Sequence, residues 1–296
     1  MRLALAYIGV VLIWATTPLG IKWSSVGVSF IFGVTARMSI GLACLIVLMG
    51  ITRTRLRLDS QALLTYLAVS GQLYASMLLT YWGAQFIPSG WLSVIYGLSP
   101  FMTAFIAAAY LNERSLGLGK IVSYLIGVAG LAVMFSSAID MDLMAVQGML
   151  ALLAATALHA LSAVWVKRIR AGVPAMAQIT GGLVLSLPLY LLTWYGLDGG
   201  QLPEWPSETT QWSILYLGVI ATPIGFALYY YVLAKMAATN VAMINLMTPV
   251  LSLLLGYFVN AEPLTVKVAI GTSLIMLALA LHSWVDHRRK LAYEAM

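Results

Sequence analysis

The chain has 296 residues, 61% of them hydrophobic and only 9% charged. A soluble domain holds roughly 45–50% apolar and about 25% charged residues, so a soluble core of this composition would lack the polar surface to cover it. The net charge of +6 does not point to nucleic acid, because the basic residues stand in short runs between apolar stretches. The single cysteine, Cys44, lies inside such a stretch and offers neither a disulfide nor a metal cluster. No metal or cofactor is expected. The lipid bilayer is the expected surrounding partner.

A hydrocarbon core of roughly 30 Å needs about 20 helical residues. Ten stretches meet this requirement: approximately 3–22, 27–50, 61–83, 89–112, 117–137, 146–168, 174–195, 211–234, 238–260 and 265–285. The first is not read as a cleaved signal, since many more spans follow and Lys22 interrupts a cleavage region. The expected fold is therefore all-α integral membrane, with short links and no room for a soluble domain. Lys and Arg favour the cytoplasmic side. With the N-terminus inside, 13 of the 16 basic residues fall inside, Lys22 and Lys267 fall outside, and Arg37 lies within a span. Both termini are then cytoplasmic, in a multi-pass protein of a bacterial-type inner membrane.

Taken in chain order, span one carries Trp14 and Thr17 beside Pro18, whose missing N–H frees the Trp14 carbonyl. Span two carries Arg37, the only charged residue near the middle of any span. A charge at that depth must face protein or water and find a partner. Either a substrate carboxylate or backbone carbonyls would serve. Span three offers Tyr74 and Tyr81, seven residues apart on one face. In span four Tyr96, Ser99 and Thr103 share a face around Pro100. Span six holds His159 and Ser162, and the histidine reads as a proton carrier or as a core histidine. Span eight holds the run Tyr229 to Tyr231, with Tyr230 as the candidate lining residue. In span nine Asn245, Thr248 and Ser252 share a face beside Pro249. These polar stripes read either as a midplane binding site or as helix-to-helix hydrogen bonding. Trp212, Trp284 and Trp91 read as interfacial anchors. No aspartate or glutamate lies deep in a span, which argues against carboxylate-based proton coupling.

The chain repeats itself. Ser89–Glu113 aligns with Ala238–Glu262 at an offset of 149, setting Pro100 against Pro249 and Glu113 against Glu262. Tyr66, Leu78 and Tyr81 match Tyr216, Leu228 and Tyr231, while Lys22 matches Lys167 and Trp14 meets His159. Two halves, 1–139 and 140–296, would each hold five spans, so the second enters the membrane upside down. Inverted repeats of this kind are a recurrent plan of secondary transporters.

The doubled Pro…Glu segments, the stretch WATTPLGIK over Trp14–Lys22, and Arg37 resemble the EamA-type transporters of the drug/metabolite transporter (DMT) superfamily. The resemblance covers essentially the whole chain. It implies ten helices as a five-plus-five inverted repeat, with spans one, three, four, six, eight and nine around a central cavity and spans five and ten as scaffold or oligomer contacts. His159 stands where a tryptophan is common, and Gly182 where the first half has Arg37, so no substrate carries over. The expected function is secondary transport, with export of a small metabolite such as an amino acid. The alternative is an integral-membrane enzyme acting on a lipid or amphipathic substrate, for which one deep histidine without a deep carboxylate is poor material. A P-loop and a channel filter are both absent from the sequence. A homodimer and a monomer are both compatible with small residues such as Ser123, Gly127 and Gly130.

Overall fold

The computed structural model describes residues 2–110, 118–236 and 238–294. Side chains are described for these except at 118, 230, 233–234, 238–240, 242, 286–287 and 289–294. Among the described residues the fold is all-helical, with ten helices long and apolar enough to cross a membrane. We number them α1 (Arg2–Trp23), α2 (Phe30–Thr52), α3 (Ser60–Gly83), α4 (Ser89–Tyr110), α5 (Leu118–Met141), α6 (Leu143–Ile169), α7 (Ala175–Asp198), α8 (from Glu208 to Lys235), α9 (Ala238–Asn260) and α10 (Val266–Glu294). They form the five-plus-five inverted repeat. The start of α1 and the end of α10 lie on one face, the near face, and the α1–α2 and α9–α10 turns lie on the far face.

Caps set the helix ends. Ser29, Asp59, Asp142 and Ser207 each accept a hydrogen bond from a first-turn N–H of α2, α3, α6 and α8, which removes an orphan donor. Arg53 and Arg170 close α2 and α6 in the left-handed conformation, with φ of 54° and 55°. The helix that sequence alone ends near 285 runs on to Glu294.

Lipid supplies no hydrophobic drive between helices, so close approach at small residues matters more than apolar area. The α5–α10 pair is the tightest case. A Cβ on Gly130 would stand 2.7 Å from the Gly271 carbonyl oxygen, and one on Gly271 would stand 2.9 Å from that of Gly130. Lys267 binds Asp140 at the far end of the same pair. The remaining helices pack as repeat mates: α1 on α8 and α9, and α6 on α3 and α4; α2 on α8, and α7 on α3. Helices α2 and α7 join the halves directly.

Two departures from regular helix lie at the centre. Helix α4 is two segments, Ser89–Tyr96 and Ser99–Tyr110, broken at Gly97 and Leu98. The expectation of a proline inside a continuous span is corrected here: Pro100 sits in the first turn of the second segment, where a missing N–H costs nothing. Its mate Pro249 does lie inside a continuous helix. Trp91 is also corrected, from interfacial anchor to buried core, at 1% exposure. Trp212 and Trp284 are exposed. Glu113, the mate of Glu262, lies outside the described residues.

Candidate substrate-binding site

The second departure concerns α3 and α8. Residues Gln72–Ser76 and Tyr216–Ile224 are π-helical. At the repeat offset of 150, 72–74 falls on 222–224, so the two wide turns occupy overlapping positions in repeat mates. A π turn loosens the hydrogen-bond ladder and re-aims the side chains it carries. In α3 the loosened carbonyls are held from outside. Ser162 donates to Ala68 O at 2.8 Å, Ser186 to Ser70 O at 3.2 Å, and Tyr190 to Leu73 O. In α8 Thr222 donates back to Leu217 O at 2.9 Å, and Tyr216 bonds Thr16 of α1.

Arg37 of α2 faces this region and is 7% exposed. Its Nη1 donates to the Tyr81 hydroxyl at 3.4 Å, beyond ordinary N–H···O distance, and the guanidinium lies 6.0 Å from the Tyr81 ring centroid. Its Nε is buried without a partner. A guanidinium carries five N–H donors, so this cation is poorly satisfied by protein alone. Tyr96, Tyr190 and Tyr216 lie close enough to interact with its charge.

The other candidate residues divide between two packed clusters, Tyr74 and Tyr96 lying with Tyr81 and Trp14 with Tyr229. Tyr96 bonds Thr80 at 2.7 Å and Ser76 at 3.0 Å, and its ring meets His159 edge-on with centroids 5.9 Å apart. The His159 Nδ1 is buried without a partner. Tyr74 bonds Thr193 and packs edge-on against Tyr190. Trp14 stacks on Tyr229 with centroids 4.8 Å apart, and Thr17 donates to Ile13 O at 2.6 Å within its own helix. Ser99 is half-buried, Thr248 buried and Asn245 exposed. The Tyr230 side chain lies outside the described ones. Ser162 is buried, with its hydroxyl on the α3 backbone. Tyr190, Tyr216, Tyr229, Ser76 and Thr80 complete the group. Of these five only Tyr229, within the run Tyr229 to Tyr231, stood out in the sequence.

The helices pack differently on the two sides of this region. On the far side the first segment of α4 packs on α9 and α1. Ser93 bonds Ser252 at 2.8 Å, and Ser252 donates to Ala15 O at 2.7 Å. On the near side the second segment of α4 packs on α6, and among the described residues α6 makes no packing on α9 comparable to that of α1 on α4. The repeat mate of the α1–α4 contact is thus missing among the described residues, and Asn245 is exposed.

Ten membrane-crossing helices in two inverted halves, with polar and aromatic side chains between them, fit the class of membrane transporters. The chain belongs to the EamA-like transporter family, whose profile matches residues 1–136 and 146–284. It is 25% identical over 295 residues to the uncharacterized transporter YoaV of Bacillus subtilis (strain 168), covering 98% of this chain and 100% of that protein. It is 25% identical over 213 residues to a protein of Salmonella typhimurium named probable amino-acid metabolite efflux pump, covering 70% of this chain and 71% of that one. A solved crystal structure superposes with a TM-score of 0.67 at 20% identity, over 96% of this chain and 98% of that one, a likeness of fold. Family and relatives are transporters and not enzymes, which sets aside the enzyme alternative.

Proposed function

We propose that this protein is a secondary transporter that exports a small carboxylate-bearing metabolite, such as an amino acid, by alternating access between halves 1–139 and 140–296. The observation that carries the substrate reading is Arg37. A buried cation with an unpartnered Nε and one long bond is a site with donors in reserve. A carboxylate presents two oxygens that match the guanidinium fork, and charge-assisted bonds of this kind are roughly twice as strong as neutral ones. The rings of Tyr81, Tyr96 and Tyr190, with the Trp14–Tyr229 stack, suit an apolar or aromatic remainder.

The relative named as an amino-acid metabolite efflux pump supports this substrate class. The Lys and Arg bias supports a cytoplasmic near face, so that substrate would load from the cytoplasm. The test is flux. Purified protein in liposomes, given a panel of radiolabelled amino acids and related carboxylates, should move at least one of them faster than empty liposomes do. Flux of no panel member would overturn the carboxylate reading.

A further inference from the structure

Three helix ends are bonded together on the far face. The link before α4 and the first residue of that helix supply the partners: Ile87 O, and the N–H and hydroxyl of Ser89. Lys22, at the end of α1, donates its Nζ to Ile87 O at 2.7 Å. Glu262, just past α9, accepts from Ser89 N at 2.8 Å and from Ser89 Oγ at 2.9 Å. The other Glu262 oxygen accepts from Asn260 Nδ2 at 2.7 Å, and Asn260 Oδ1 accepts from Trp23 Nε1 at 2.9 Å. The Lys22 and Glu262 charges lie close enough to attract each other.

The placement of Glu262 depends on local backbone. Its N–H bonds back to Gly256 O at 3.0 Å, and Ala261 takes a left-handed φ of 51°, a conformation that a side chain disfavours. The turn folds the carboxylate over the last turns of α9. Room for it exists because residue 256 is glycine: a Cβ there would stand 2.3 Å from Glu262 Oε2. Helix α4 has no side-chain cap of its own, since Pro88 precedes it. A carboxylate at a helix N-terminus satisfies orphan N–H groups and suits the positive end of the helix dipole. Here the cap comes from the other half of the chain. Glu262 is 9% and Ser89 1% exposed, so the contact is sealed.

We infer that Glu262 and Lys22 are the latch of the far-side gate: they hold α1 and α9 on the start of α4 in the state seen here and must release it when the far side opens. This rests on the alternating-access reading and adds to it the groups that hold one end shut. Glu262 is a positioning residue, acting through α4. Substrate binding lies deeper, at Arg37, so removing the latch shifts which face is open without removing the site. Gly256 belongs to the device, because it keeps space for the carboxylate that any larger residue would take.

The test uses pairs of spin labels on the full chain in liposomes, in a Cys44→Ser background that removes the single native cysteine. One pair, at Gln85→Cys and Leu264→Cys, spans the far gate; a second, at Tyr110→Cys and Met243→Cys, spans the near side. All four positions are exposed. Glu262→Ala should add a longer-distance population at the far pair and shorten the near pair, and Lys22→Met should do the same to a smaller extent. Gly256→Ala, which leaves both charges in place, should reproduce the shift by evicting the carboxylate. If Glu262→Ala does not fold, Glu262→Gln, which keeps an acceptor oxygen, and Gly256→Ala decide the matter. An unchanged far-pair distribution in folded variants would overturn the latch, as would equal broadening of both pairs, the signature of a merely structural role. Unchanged distances with measurable flux count against the latch alone. Absence of flux for every compound counts against the transport reading whatever the distances do.

Discussion

The Tyr96 hydroxyl is 2.7 Å from Thr80 Oγ1, which joins the break in α4 to the turn of α3 that follows its π-helical stretch. Ser76 bonds the same hydroxyl at 3.0 Å and donates its own hydrogen bond to Ala155 O of α6 at 2.8 Å. Helices α3, α4 and α6 are thus tied through one phenol and the Ser76 hydroxyl. Tyr96→Phe removes these bonds and keeps the ring against His159. Transport should fall severalfold while expression and thermal midpoint change little, since membrane side-chain bonds average only about 0.6 kcal/mol. Unaltered flux would mean that the phenol only packs.

Arg37 separates binding from structure. It bonds no backbone carbonyl among the described residues, so its removal should leave the fold standing. Arg37→Ala should give folded protein with KM for a carboxylate substrate raised at least about tenfold, a shift of about 1.4 kcal/mol. Arg37→Lys keeps the charge and loses the fork, and should fall between the two. Aggregated protein from Arg37→Ala, judged by size exclusion, would identify the residue as a structural staple.

Much of this was readable in advance, and the physical reason is the bilayer. Lipid forces every span to satisfy its own backbone and to remain apolar for about 20 residues, so the spans stand out in sequence. The repeat stood out through Pro100 and Pro249, because a span tolerates proline at few places. The π turns did not, since Ala68 O, Ser70 O and Leu73 O are rescued by Ser162, Ser186 and Tyr190 from helices α6 and α7, which no local pattern reveals. The partners of Tyr216 and Tyr229 were hidden for the same reason: Thr16 and Trp14 are some two hundred positions away in the chain.

Outside the membrane, the Asp59 carboxylate is held below its ordinary range, first by the hydrogen bond from Arg57 and then by the α3 N–H of Ala62. A depressed carboxyl stabilises the fold above its unfolded pKa, and that contribution is lost as pH falls through the lower folded value. The thermal midpoint should therefore decline as pH drops below about 4. The decline should be small, because the pair is exposed. Asp59→Asn should flatten that part of the profile. An identical slope in the variant would assign the acid sensitivity to other groups.

The inverted repeat makes the far-side latch a claim about the near side as well. Glu113 is the repeat mate of Glu262, and Lys167 that of Lys22. At the same offset Ser89 falls on Ala238, the first residue of α9. If each half performs in turn what the other performs, Glu113→Ala should favour the state open at the near face, and Glu262→Ala the opposite one. The two variants should then shift the far spin-label pair in opposite senses, with the double variant near the parent protein because both closed ends are weakened alike. Export at saturating substrate should fall in each single variant and recover in part in the double. Same-sense shifts, or losses that simply add, would break the mirror relationship and leave Glu262 as a lock on one face only.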